Sequence, residues 1–199
     1  MGGGLGEELS WNEEAQVLVV ADPSGGTIGF VQGHAIFSCM LALVKKGQVT
    51  SAIVSNPVLQ RTMVAERGRG SYVFENGKKL TVSIRDDLKL KPMALLGVSK
   101  SDARLFISHL FSNHYSAISI PAIGESLFNV ANGKLDAGIY FADKSDDIAA
   151  ISLIVEEAGG RVTDLDGNEQ RYDGPINGAI ISNGLVHKEL VELYKQSQS

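Results

Sequence analysis

The chain has 199 residues, of which 44% are hydrophobic and 21% charged, and its formal net charge is −5. These values are typical of a globular protein and exclude intrinsic disorder and collagen-like repeats. The acidic balance and the absence of long basic runs argue against a protein that follows a nucleic-acid backbone.

The sequence also lacks the signals of membrane insertion and of secretion. The apolar stretches are shorter than the ~20 residues that a bilayer-spanning helix needs. The first residues show neither the basic nor the apolar region of a secretory signal. The single cysteine, Cys39, cannot form an internal disulfide, which suits a reducing compartment. We therefore expect a cytoplasmic protein.

The first half of the chain is predicted to form an antiparallel meander of about five or six strands. Val17–Ala21 is an apolar, β-branched run that indicates a buried strand leading into a glycine-rich loop. Asn76-Gly77 is the strongest hairpin signal. Cys39 lies within an apolar strand pattern, where we expect it to pack rather than to act as a nucleophile. The remaining predicted strands are 35–44, 48–54, 61–66, 71–74 and 79–83.

The second half alternates strands and helices, which predicts a mixed sheet covered by helices. Ser145 or Asp146 is expected to cap a helix that runs through Ala158. The other predicted helices are 101–113, 124–132 and 186–196, and the predicted strands are 94–98, 117–120, 135–141, 161–163 and 179–182. We thus expect an α/β (α+β) layered sandwich, one compact unit of two lobes, 1–93 and 94–199, that share a core.

The segment Asp22–Gly29 is the most unusual in the sequence, because it places an aspartate, three glycines and two hydroxyl residues directly after a buried strand. Glycines let backbone N–H groups approach an anion, and Thr27 adds a hydroxyl donor. The alternative is a flexible glycine turn capped by Asp22. Similarly, Glu7 taken alone is interpreted as a solvated surface carboxylate, and Asp147 taken alone as a charge at the start of a helix.

Other kinds of catalytic site find no support in the sequence. The histidines do not have metal-ligand spacing, and no serine lies in a Gly-x-Ser-x-Gly elbow. Hydrolytic chemistry, if present, would therefore need carboxylates and a hard metal ion.

The order of several motifs resembles the inositol monophosphatase family, which groups with the fructose-1,6-bisphosphatases among the Mg²⁺-dependent phosphatases. The motifs are Gly6-Glu7-Glu8, then Asp22-Pro-Ser-Gly-Gly-Thr, then Asp147 before Ala149-Ala150, with Gly133-Lys-Leu-Asp-Ala and the run from Leu153 to Asp164 in their expected places. The resemblance covers nearly the whole chain.

The resemblance implies a role for each matching residue. Glu7, Asp22, the Ser24 carbonyl and Asp147 would hold Mg²⁺, and Glu7 and Thr27 would orient the attacking water. Gly25, Gly26 and Thr27 would bind the phosphate. On the substrate side the implied residues are Gly124, Glu125, Ser126 and Tyr140. The implied substrate is a small phosphorylated sugar or polyol.

Several positions depart from the family pattern. Gly25 stands where the family has a second metal-binding aspartate, and Tyr140 stands where an acidic residue often contacts the polyol. The family's helical segment before Gly-Glu-Glu has no counterpart here. Without it, one face of the first sheet would be exposed, so we expect a homodimer or larger oligomer. Three hypotheses stay open: a Mg²⁺-dependent phosphomonoesterase, a catalytically weak phosphate- or metal-binding regulatory protein, and a shortened form of an ordinary phosphatase.

Overall fold

We analysed the protein in a computed structural model, which describes residues 3–6, 15–84, 92–96, 101–118 and 122–198. Two sheets and five helices lie within these residues. The strands and helices alternate in the second half, as the sequence predicts.

The first sheet has seven strands in the order β1-β2-β3-β4-β5-β6-β7. β1 runs parallel to β2, and every other neighbouring pair is antiparallel. The predicted meander is therefore confirmed and is preceded by one additional strand. The strands are β1 Gly3–Gly6, β2 Val17–Gly25, β3 Ser38–Lys45, β4 Gln48–Asn56, β5 Arg61–Glu66, β6 Ser71–Glu75 and β7 Lys78–Thr81.

The second sheet is mixed and has the order β11-β12-β10-β8-β9. β10 is parallel to β8 and antiparallel to β12, which places it at the centre of the sheet. The strands are β8 Pro92–Leu96, β9 Ser116–Ile118, β10 Ala137–Tyr140, β11 Arg161–Thr163 and β12 Ala179–Ser182.

Helices separate the two sheets and cover the second one. The helices are α1 Thr27–Val31, α2 Ser101–Ser112, α3 Ile123–Ala131, α4 Ala149–Glu157 and α5 His187–Ser197. α3 and α4 contact strands of both sheets, whereas α2 and α5 pack on each other beside β12. The burial of α3 and α4 agrees with this position between the sheets. Nearly every residue of the two helices is buried, as expected for helices enclosed on both sides.

The larger hydrophobic core joins the two halves of the chain. It contains Leu18 and Val54 from the first sheet together with Leu127, Ile151 and Ile181 from the second half. A smaller core lies between α2, α5 and the second sheet. Within the described residues, no helix is both long and apolar enough to cross a membrane.

Three sequence expectations need correction. The glycine-rich segment is not a flexible loop, because β2 continues through Gly25, with a bulge between Asp22 and Gly25. Cys39 is exposed, since the strict alternation of β3 turns it to the outer face, where its thiol donates to the Pro23 carbonyl at 2.9 Å. Finally, α4 begins at Ala149 after a turn and has no side-chain cap, so neither Ser145 nor Asp146 caps it; the Ser145 main-chain carbonyl accepts the first N–H groups instead.

Candidate active site

Asp22 lies at the bulge near the end of β2, where the strand leaves the sheet. Its carboxylate is 1% exposed, and Oδ1 accepts the backbone N–H of Ser24 at 2.9 Å. Gly26 then turns the chain with a φ of 94°, a conformation that favours glycine, and α1 begins at Thr27. The Thr27 hydroxyl donates to the Ser24 carbonyl at 2.9 Å, which closes this short motif on itself.

The parallel strand β1 brings the N-terminal motif to the same edge. Gly6, its last residue, lies opposite Ala21, one residue before Asp22. Glu7, the predicted metal ligand and water-orienting residue, follows Gly6 in sequence and lies outside the described residues. The structure therefore places the end of β1, which directly precedes Glu7 in the sequence, one residue from Asp22 along the pairing.

Asp147 lies in the turn that leads into α4, and its carboxylate contacts a buried tyrosine. The Tyr140 hydroxyl, at the end of β10, donates to Asp147 Oδ2. Tyr140 is 1% exposed, and burial, followed by the bond to Asp147, raises the pKa of its phenol far above the ordinary value. At this position the resemblance implied a substrate contact, whereas the described structure shows a buried side chain that bonds to Asp147.

The predicted substrate segment forms the first turn of α3 and packs against the Asp22 motif. A Cβ atom on Gly124 would lie 2.6 Å from Ser38 Oγ, and one on Gly25 would lie 3.2 Å from the same oxygen. The Ser38 hydroxyl is buried, and no described residue offers it a hydrogen bond. Ser38 therefore marks the point where the motif of the first half meets the α3 segment of the second.

Glu125 is held in a buried ion pair rather than directed to solvent. Arg61 Nη1 donates to Glu125 Oε2 at 2.8 Å, and Arg61 also donates to Glu75 from Nη2 at 2.7 Å. Burial raises the pKa of the Glu125 carboxyl, and the charge of Arg61 opposes that rise. Ser126, the next residue, is also fully buried. The ion pair of Glu125 with Arg61 thus links α3 to β5.

The structure shows two groups of neighbouring residues: the first is Asp22, Gly25, Ser38 and Gly124, and the second is Asp147 with Tyr140. Among the described residues, no three Asp, Glu, His or Cys side chains form a cluster that could hold a metal ion. The expected convergence of Glu7, Asp22 and Asp147 stays a prediction, since Glu7 is not among them. Sequence reasoning missed Ser38 and Arg61, because neither lies in a recognisable motif.

Comparisons with known proteins show the family to which the chain is similar. The family model of the inositol monophosphatase family matches residues 4–199. A fructose-1,6-bisphosphatase/inositol-1-monophosphatase of Thermotoga maritima is 34% identical over 187 residues, 92% of this chain and 70% of that protein. The Nus factor SuhB of Pseudomonas aeruginosa is 34% identical over 182 residues, which is 83% of this chain and 65% of that protein.

The fold agrees as well. The solved structure of a Thermotoga maritima IMPase has a TM-score of 0.82 and 30% identity, and the match covers 98% of this chain and 74% of that one. Members of the matched family are phosphatases that generally depend on metal ions. The chain belongs to the inositol monophosphatase family.

Proposed function

We propose that the protein is a Mg²⁺-dependent phosphomonoesterase that acts on a small sugar or polyol phosphate. The observation that carries the proposal is the buried Asp22 carboxylate at the edge where β1 and β2 end, followed at once by the Gly26-Thr27 turn. Burying a carboxylate is energetically costly unless its charge is compensated, and a bound cation would provide that compensation here.

The chemistry of the donor set fits a hard cation. Asp22 and Asp147 offer carboxylate oxygens, the Ser24 carbonyl is a further oxygen donor, and Glu7 would add a third carboxylate. Mg²⁺ commonly uses only one or two protein carboxylates and fills its remaining positions with water and phosphate oxygens. When bound, the metal supplies charge neutralisation of the phosphate and a more acidic water.

The chain's own residues would bind the phosphate and orient the water. Because the Thr27 hydroxyl donates its hydrogen to the Ser24 carbonyl, its oxygen is left to accept a hydrogen bond from that water. Glu7 would accept the water's second hydrogen. The N–H groups at Gly25, Gly26 and Thr27 would hold the phosphate, with glycine allowing the close approach.

On the substrate side, we propose that the α3 segment contributes through its backbone at Gly124 and through its position rather than through the side chains of Glu125 and Ser126, which are buried. Tyr140 likewise does not present an acidic acceptor to a polyol hydroxyl. We also propose that the protein acts in the cytoplasm and as a homodimer.

A second candidate function is supported by Gly25. The missing aspartate removes one anionic ligand from the proposed metal site, which would lower its affinity for the cation. One of its similar relatives is a Nus factor, so a regulatory protein that binds phosphate or metal is the alternative. A fold does not by itself guarantee the activity found elsewhere in its family.

Phosphate release separates the two. Purified protein is assayed over a panel of sugar and polyol phosphates with and without Mg²⁺, alongside Asp22→Asn and the remote control Glu192→Gln on α5. We expect Mg²⁺-dependent release that Asp22→Asn abolishes and Glu192→Gln leaves intact. Mg²⁺ binding without release from any substrate would favour the regulatory protein.

A further inference from the structure

Tyr140 and Asp147 are joined across a segment whose main chain is held in place. Between them, the Asp143 carbonyl accepts the N–H of Ile176 at 2.9 Å, and the Ala142 carbonyl accepts the N–H of Gly178 at 3.1 Å. These bonds tie the segment to the chain that precedes β12. The Tyr140 hydroxyl adds a side-chain contact from the central strand β10 to the carboxylate that precedes α4.

The contact is asymmetric. Tyr140 is enclosed in the larger core, so its ring has no freedom to follow a moving partner. Asp147 is half-buried and sits in a turn. The hydroxyl is therefore the fixed member, and it donates to Oδ2 of the more exposed Asp147 carboxylate.

We propose that Tyr140 is a positioning residue for metal binding: its hydroxyl fixes Oδ2 of Asp147 and so directs Oδ1 toward the cation. This rests on the proposed function, in which Asp147 is a metal ligand. A partner that orients a ligating carboxylate typically changes metal affinity ~10- to 100-fold when it is removed.

The choice of a phenol has a chemical reason. A tyrosine is neutral at ordinary pH, so it holds the Asp147 carboxylate without bringing another negative charge to it. An acidic side chain at residue 140 would repel Asp147 and would need a cation or proton between the two. At residue 140, a tyrosine that orients Asp147 therefore replaces the acidic residue that the family pattern uses to contact the substrate.

The test measures Mg²⁺ binding by calorimetry on the whole protein without substrate, so it does not depend on turnover. We expect Tyr140→Phe to weaken binding about 10-fold or more. Tyr172→Phe is the matched control, because Tyr172 is a buried tyrosine of the same core; we expect it to leave the affinity unchanged. If Tyr140→Phe does not fold, Tyr140→Met removes the hydroxyl and leaves a smaller, flexible apolar side chain that adapts to the core.

A double-mutant cycle separates positioning from general packing. Asp147→Asn alone should weaken Mg²⁺ binding, and adding Tyr140→Phe to it should change nothing further, because the hydroxyl acts only through Asp147. A second loss in the double variant would overturn the proposal in favour of a packing role. Unchanged or tighter binding by Tyr140→Phe would overturn it while leaving Asp147 a ligand. Unchanged binding by Asp147→Asn would overturn both this proposal and the proposed metal site.

Discussion

At residue 25 the lack of a side chain changes the surroundings of Asp22. An aspartate Cβ there would lie 2.6 Å from Asp22 Oδ2 and 3.2 Å from Met40 Cε. The backbone does not oppose the substitution, because Gly25 is not among the positive-φ glycines. The nearest atoms belong to side chains rather than to the backbone, so the obstacle is crowding and charge rather than backbone strain.

We expect Gly25→Asp to tighten Mg²⁺ binding and to destabilise the metal-free protein. Two carboxylates at this distance repel each other without a cation, and overpacking adds a cost of about 1–3 kcal/mol. Calorimetric Mg²⁺ titration and thermal unfolding with and without Mg²⁺ measure the two effects. Gly25→Asn is the matched control, since it brings the same crowding without the charge. If both variants bind Mg²⁺ alike, residue 25 does not face the cation.

His187 gives stability a dependence on pH. Its Nε2 lies 2.9 Å from Thr163 Oγ1 and its Nδ1 lies 2.8 Å from Ser182 Oγ. Burial, followed by the charge of Arg161, lowers the pKa of the imidazole to about 4. Folding therefore keeps this ring neutral in a range where an unfolded chain would protonate it.

We expect the free energy of unfolding to fall as the pH is lowered from about 6.5 to about 4. In that interval the unfolded state binds a proton that the folded state does not, which costs up to ~3 kcal/mol. Urea unfolding at several pH values measures the slope. His187→Asn should flatten it, whereas His34→Asn, at an exposed histidine, should not. Equal slopes in all three proteins would assign the pH dependence to other groups.

Among the elements, α3 is joined to the first sheet by the side chain of Arg61 as well as by core packing. The Arg61 guanidinium forms ion pairs with Glu125 and Glu75, and it also lies 5.0 Å from the centre of the Phe128 ring. Both Glu125 and Phe128 belong to α3, while Arg61 begins β5. Arg61 therefore contributes, together with core packing, to the position of the proposed substrate segment.

We expect Arg61→Met to lower the free energy of unfolding by about 3 kcal/mol, because it leaves the Glu125 charge buried without its cation. Arg69→Met, which breaks the exposed Arg69–Glu66 pair, should cost no more than about 0.5 kcal/mol. Urea denaturation compares the two variants. Similar small losses would mean that Glu125 is protonated or solvated in the folded protein.

The elements also show what the sequence can predict. The Asn76-Gly77 hairpin is found as expected, with positive φ at both residues, because two-residue turn chemistry is local. β1 was missed, since three of its four residues are glycines and leave no side-chain pattern to detect. The end of β2 was missed because a main-chain pairing, Gly25 with Ser38, overrides the loop-forming tendency of its glycine and proline.

The candidate site also combines local features that the sequence predicts with long-range contacts that it does not. Motif order located Asp22, Gly26, Thr27 and Asp147 in the chain, because these residues belong to short recognisable segments. The partners that hold them could not be predicted. Arg61 and Glu125 are 64 residues apart, and the contact of Tyr140 with Asp147 depends on how β10 and α4 are packed.

For the molecule as a whole, the outer face of the first sheet is apolar and exposed. Leu41 and Ile53 are directly paired on neighbouring strands and are 44% and 45% exposed. Leu43 and Phe74 extend the same face. A contiguous apolar surface of this kind usually marks an interaction site.

We expect the protein to be a dimer or larger assembly in solution, held by this outer face. Light scattering should give a dimeric mass or more, and Leu41→Lys with Ile53→Lys should shift it toward the monomer. A matched pair on α2, Leu105→Lys with Phe111→Lys, also replaces exposed apolar residues and should leave the mass unchanged. A monomeric mass for the unaltered protein at high concentration would contradict the expectation.

The composition of β1 has a consequence for how the acidic residues of the site are spaced. Among the described residues, β1 is an edge strand paired with β2, and its three glycines have no side chains that could fix the register. A slip of one residue would carry the chain about 3.3 Å along β2. The offset between Asp22 and whatever follows Gly6 is therefore set by the number of residues in this strand. Insertion or deletion of a single glycine there would change that offset without altering any acidic residue, so length, rather than side-chain identity, is the property of β1 on which the site depends.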